Sequence, residues 1–136
     1  MIQPVCRDVF LLSRKSQPAE KADLPVAVDL MDTLRHHSAE CVGMAANMIG
    51  QLKRIIAVSM GMSVLVMINP VIVSKSEPHE AEEGCLSLAG VRKTTRYNSI
   101  TVVYQDMQLR QQKATYTGWT AQIIQHEVDH LDGILI

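Results

Sequence analysis

The residues best suited to chemistry fall in one short segment, His126-Glu127-Val128-Asp129-His130. An H-E-x-x-H segment on a helix sets its histidines one turn apart on the same face, so both imidazoles can reach one metal ion. Glu127 is offset around the helix and could stand beside the open coordination position, taking a proton from water there. Two histidines leave such a site short of at least one protein ligand. Cys6, Cys41, Cys85, His36, His37, His79 and the carboxylates are the candidates. Cys85 lies among polar residues in Glu82-Glu83-Gly84-Cys85-Leu86-Ser87, next to a glycine that permits an unusual backbone. Cys6 better suits the usual fate of a free cysteine, a small core residue.

A helix must present these histidines, and Gly118 is expected to open it, with Trp119, Ile123, Ile124, His126, His130 and Leu131 along its length. Trp119, Gln122 and Ile123 precede His126 by seven, four and three residues, which puts them on the metal-facing side. Another helix is read from Asp23 as N-cap, Pro25 in the first turn, and Leu24, Ala27, Val28, Met31 and Leu34 at helical spacing, ending near His37. Residues 13–22 read as a polar surface connection, and 40–50 as a tight loop before a strand at 54–59. The twenty residues 55–74 carry no charge, the length of a membrane span. They are rich in Val and Ile and interrupted by Gly61 and Asn69-Pro70, which indicates two or three buried strands instead. Residues 74–83 are polar, while 101–104 and 113–117 read as strands flanking a turn near Asp106-Met107-Gln108. Several short strands and two helices without βαβ alternation predict an α+β fold, with small mixed or antiparallel sheets around the His126 helix. A chain of 136 residues fits one domain spanning 1–136.

Thirteen basic against fourteen acidic side chains give a net charge of −1, so a nucleic-acid surface has no electrostatic support. Three cysteines are too few, and odd in number, for a disulfide framework, and fit a reducing compartment. Val9-Phe10-Leu11-Leu12 is too short an apolar run for a signal peptide. The expectation is a soluble, cytoplasmic protein without a membrane partner. His36-His37 read as solvated cations at a helix end, and the five methionines from Met44 to Met67 as irregular core filling. Arg92 and Arg96 read equally as surface groups or as contacts to a peptide backbone.

Glu83-Gly84-Cys85-Leu86-Ser87 together with Gln125-His126-Glu127-Val128-Asp129-His130-Leu131-Asp132-Gly133 resembles two signature motifs of the peptide deformylases, in the right order and about forty residues apart. Val42-Gly43-Met44-Ala45-Ala46-Asn47-Met48-Ile49-Gly50 resembles the family's first motif, and Asn69-Pro70 and Gly118 also match, so the likeness covers most of the chain. The resemblance implies one divalent ion held by Cys85, His126 and His130, with water as fourth ligand. Iron(II) is the implied native metal, and zinc, nickel or cobalt are substitutes. The implied reaction is hydrolysis of the formyl group from N-formylmethionyl peptides. Glu127 would shuttle the proton, and the Leu86 N–H would stabilise the oxyanion. Val42, Gly43, Trp119, Gln122 and Ile123 would border the substrate, with Gly43 letting the peptide backbone come close. The implied partners are formylated nascent peptides at the ribosome, met by a monomer.

Two positions depart from the family pattern. Cys41 stands where glycine is usual, and Met48 where a glutamine donates its amide to the oxyanion. Methionine has no N–H to give, and losing one such donor costs on the order of 10²–10³ in turnover in other hydrolases. Gln122 adds a polar group to a pocket that the family lines with apolar ones. The chain also ends six residues after His130, where many relatives continue. Met48 motivates an alternative, a relative that binds metal and peptide with weak or no turnover. A zinc peptidase is a third reading, which Cys85 disfavours because such enzymes usually complete the site with His or Glu.

Overall fold

The computed structural model describes every residue except Leu86 and Ile136, and every remaining side chain except that of Leu88. Asp8 caps a single helical turn, α1 (Val9–Leu12), by accepting from the Phe10 N–H at 3.0 Å. A 3₁₀ turn at Lys21–Asp23 leads into α2 (Leu24–His36), which buries Ala27, Leu30 and Leu34. Asp23 precedes α2 as expected, but its carboxylate makes no cap bond to that helix. It instead accepts from the Glu20 N–H at 2.8 Å, closing the 3₁₀ turn.

Five strands form one antiparallel sheet in chain order: β1 (Gly43–Ala45), β2 (Ile55–Ser59), β3 (Val64–Cys85), β4 (Leu88–Gln105) and β5 (Gln111–Thr117). β1 lies inside the segment read as a loop, because Gly43, Met44 and Ala45 find partners in Val58, Ala57 and Ile56 of β2. A left-handed Gly50 (φ 83°) then closes the 3₁₀ turn Ala46–Ile49. The uncharged stretch gives β2 and the start of β3, and no described helix is long and apolar enough to cross a membrane. The 22 residues of β3 and 18 of β4 are far longer than the short strands expected. The polar segment 74–83 pairs with β4 along its length, so backbone hydrogen bonding carries it where apolar alternation does not. The β4–β5 turn falls where predicted. Asp106 Oδ1 accepts from Gln108 N–H at 2.9 Å and from Arg110 N–H at 3.0 Å.

Gly118 (φ 60°) turns the chain from β5 into α3 (Gly118–Leu131). The helix packs against β1, β2, β4 and β5 and buries Ala121, Ile123, Ile124, Val128 and Leu131. Met44, Met48 and Met67 fill this core, while Met60 and Met62 are exposed near the β2–β3 connection, so only three of the five methionines are core. Cys6 is half-buried and stands outside the core, whereas Cys41 and Cys85 pack against it.

Candidate active site

Helix periodicity brings His126 and His130 together with their Nε2 atoms 3.0 Å apart. The end of β3 carries Cys85 to the same point, where the ladder with β4 shifts register between Gly84 and Cys85. Among the described residues these three form a group whose ligand atoms all lie within 4.8 Å of one another. The left-handed glycine nearby is Gly90 (φ 81°), not Gly84. The other cysteines and histidines named as candidates do not converge here. His37 bonds Glu40 at 2.9 Å, and His36 and His79 are exposed.

Burial lowers the pKa of His130, and the neighbouring His126 lowers it further, so its lone pair stays available. His126 is raised: burial works against its charge, but Cys85 and Glu83 outweigh it. The two imidazoles therefore differ in basicity, and their Nε2 atoms lie close enough together to share one cation. Glu127 is 3% exposed, and burial pushes its pKa up to about 7, with His126 opposing and Glu83 adding to the shift. Its Oε1 and His130 Nδ1 are buried polar atoms without a hydrogen-bond partner among the described residues. One thiol, two imidazoles and an unpartnered carboxylate oxygen fit a transition-metal ion with a reacting water, and do not fit calcium or magnesium.

A cavity of about 490 Å³ opens over this group. Val42, Gly43, Met48, Trp119, Gln122, Ile123 and Glu127 all line it, so the segment 42–48 and the leading turns of α3 border one cavity. Val42 and Trp119 are exposed at its surface, and Ile123 is buried. Leu86, expected to supply an oxyanion donor, lies outside the described residues. Gly43 has a sharper reason than room for a peptide. A Cβ at that position would stand 2.6 Å from Ile123 Cγ2 and 2.9 Å from Glu127 Oε2. Met48 is 1% exposed, and its Sδ accepts from the Ala45 N–H at 3.4 Å. Cys41 also lines the cavity; its thiol donates to the Gly43 carbonyl at 2.9 Å. Burial and the Glu127 charge push that thiol up to about 12.

Sequence reasoning missed the groups behind His126. Its Nδ1 lies 2.8 Å from Glu83 Oε1. Arg96 grips Glu83 through Nε (3.1 and 2.9 Å) and Nη2 (2.7 Å), and reaches Asp129 Oδ2 through Nη1 at 2.6 Å. Burial raises the Glu83 pKa, but His126 and Arg96 outweigh it and hold the carboxyl down near about 2. Arg96 is thus buried, neither a surface group nor a lining residue of the cavity, whereas Arg92 is half-buried and donates to the Ala89 carbonyl. One clue was legible: Asp129 follows His126 by three residues, on the same side of the helix.

The polypeptide deformylase family model matches residues 5–136. A peptide deformylase of Clostridium beijerinckii is 52% identical over 136 residues, covering 100% of both chains. One from Dictyoglomus thermophilum is 38% identical over 130 residues, covering 93% of this chain and 84% of its own. The Met-Ala-Ser-bound crystal structure of the class I type b peptide deformylase from Acinetobacter baumannii superposes with a TM-score of 0.89 at 30% identity, covering 99% of this chain and 97% of that one. The peptide deformylase of Thermotoga maritima gives a TM-score of 0.89 at 27% identity, covering 99% and 95%. The α+β architecture, the clustered Cys85, His126 and His130, and these likenesses agree: the chain belongs to the peptide deformylases, metal-dependent hydrolases that remove the formyl group from nascent peptides.

Proposed function

We propose that Cys85, His126 and His130 hold one divalent transition-metal ion, and that Glu127 carries the proton in deformylation of formyl-methionyl peptides. The observation behind this reading is the convergence of three ligand atoms within 4.8 Å, beside the buried Glu127. Thiolate and imidazole donors suit iron(II), zinc, nickel or cobalt. Iron(II), which the family uses, is the ion expected in the cell. When bound, the ion supplies Lewis acidity to the formyl carbonyl and to the attacking water.

The chain's own groups do the rest. Glu127 accepts a proton from water as the water oxygen adds to the formyl carbon. The C–N bond then breaks and Glu127 returns that proton to the departing methionine nitrogen, leaving formate and a free amino terminus. A carboxyl with pKa about 7 is matched to both halves of that transfer near neutral pH. The methionine side chain lies against Trp119, Gln122 and Ile123, while Val42 and Gly43 border the peptide, Gly43 letting its backbone come close; all five residues line the cavity. The Acinetobacter baumannii relative with Met-Ala-Ser bound supports a peptide amino terminus as occupant. The substrates are formylated nascent peptides, met at the ribosome by a cytoplasmic monomer.

Formate release from a formyl-methionyl tripeptide, with the unformylated tripeptide as control, tests the reading. Wild type should release formate from the first only. Glu127→Gln should keep its metal and lose about 10²-fold or more in kcat. Comparable turnover in a fully metallated Glu127→Gln variant overturns the role of Glu127.

A further inference from the structure

Arg96 has 4% of its side chain exposed and lies outside the cavity, yet it links three elements around the candidate metal centre. It sits on β4 opposite His79 of β3, while Glu83 lies opposite Arg92. Arg96 therefore reaches four residues along the sheet to meet Glu83. There its Nε and Nη2 hold both carboxylate oxygens, and Oε1 also receives His126 Nδ1. The remaining arm, Nη1, bonds Asp129 Oδ2 on α3, one turn beyond His126.

A carboxylate torsion is broad and weakly held on its own, whereas the guanidinium is planar with donors in a fixed fork. Gripped on both oxygens, Glu83 has one orientation left. A buried ion pair of this kind is often neutral for stability against an apolar replacement, so stability alone does not account for it. Its distinctive property is the partner it adds, a ring nitrogen of a candidate ligand.

We propose that Arg96 is a positioning residue for the metal centre: by fixing Glu83 against the sheet and Asp129 on the helix, it holds the His126 ring with Nδ1–H on Glu83 and Nε2 aimed at the ion. This inference rests on the ligand assignment proposed above. Outer partners of metal-bound histidines set ring orientation and are worth about 10–100-fold in metal affinity. Lysine cannot substitute, because a single ammonium on a flexible stem cannot hold two oxygens of Glu83 and one of Asp129 together.

The test uses protein loaded with cobalt(II), comparing wild type, Arg96→Lys and Asp129→Asn. Three quantities are read: the rate of cobalt loss to excess chelator, the visible cobalt spectrum and the melting temperature of the metal-free protein. Arg96→Lys should lose cobalt about tenfold faster or more, with shifted visible bands. Asp129→Asn, which removes only the charge that holds the helix arm, should show a smaller change in the same direction. Cobalt-loss rates and spectra within twofold of wild type in both variants overturn the proposal, whatever the melting temperature does, because that pattern belongs to a purely structural ion pair. If Arg96→Lys does not fold, the Asp129→Asn rate and spectrum decide by the same criterion. A wild type that takes up no cobalt instead overturns the ligand assignment on which the inference depends.

Discussion

Gly43 of β1 and Glu127 of α3 stand so close that a methyl group on the first would lie 2.9 Å from Oε2 of the second. The same methyl would meet Ile123 Cγ2 at 2.6 Å. Both distances are too short for a real Cβ, so Glu127, Ile123 or the strand must move. Gly43 is buried and is not among the residues with positive φ, so the restriction is one of space and not of backbone torsion.

Gly43→Ala should therefore fold, keep its metal and lose turnover. A displacement of about 1 Å at a catalytic group can cost roughly 10²-fold, so kcat for formate release should drop by about ten- to a hundredfold. Metal content measured on the same preparation should stay at the wild-type level. An unchanged kcat would mean that Glu127 relaxes freely, and that Gly43 serves only the approach of the peptide.

Metal content should separate the three cysteines. Anaerobically purified wild type should carry about one ion per chain, and Cys85→Ala only a small fraction of that. Cys6→Ala and Cys41→Ala should keep theirs. Cys41 is held as a neutral thiol by burial and bonded to the Gly43 carbonyl, which leaves it a poor ligand despite lining the cavity. Equal retention in all three variants removes Cys85 from the ligand set.

The contrast between Glu83 and His130 shows where the sequence could be read and where it could not. His126 and His130 lie on one helix, whose period is local, so their meeting follows from spacing alone. Cys85 joins them through a motif short enough to be recognised. Glu83 and Arg96 are thirteen residues apart on different strands, and they meet only once the β3–β4 register exists. No local pattern encodes that register, because the exposed residues of 74–83 show no apolar alternation. β1 was hidden for a related reason: Gly43, Met44 and Ala45 have little intrinsic strand preference, and β2 supplies the edge that makes them a strand.

Asn69 is the one non-glycine residue in the uncharged stretch whose backbone turns left-handed, with φ 52°. Its side chain accepts from Ala19 N–H at 2.8 Å and donates to Ala19 O at 2.9 Å and Gln105 Oε1 at 2.8 Å, tying β3 to the segment before α2. Asn69→Ala removes those bonds together with the polar side chain that eases a left-handed backbone, so unfolding free energy should fall by about 2–4 kcal/mol. Asn69→Gly loses the bonds but tolerates the torsion, and should be the less damaging of the two. Urea denaturation measures both. A loss below about 0.5 kcal/mol in Asn69→Ala would show that water replaces the side chain.

Met48 gives the prediction with the most at stake. Its sulfur faces the Ala45 N–H, and a thioether has no proton to offer the cavity it lines. Under the proposed mechanism, charge developing on the formyl oxygen would lack a side-chain amide at this position, where the motif that this segment resembles carries glutamine. Met48→Gln conserves length and roughly conserves volume at a site 1% exposed, so the packing cost should be small. The new side chain can also divide its work, with Oε1 accepting from Ala45 and Nε2 donating into the cavity. Electrostatic stabilisation of such an oxyanion is usually the largest catalytic term. Met48→Gln should raise kcat for formate release at least about tenfold, roughly 1.4 kcal/mol of transition-state stabilisation, with metal content unchanged. An unchanged or lower kcat in a folded, fully metallated variant would show that the missing amide does not limit this protein. Another donor would then be serving the oxyanion, and the Met48 position would answer to the shape of the bound peptide.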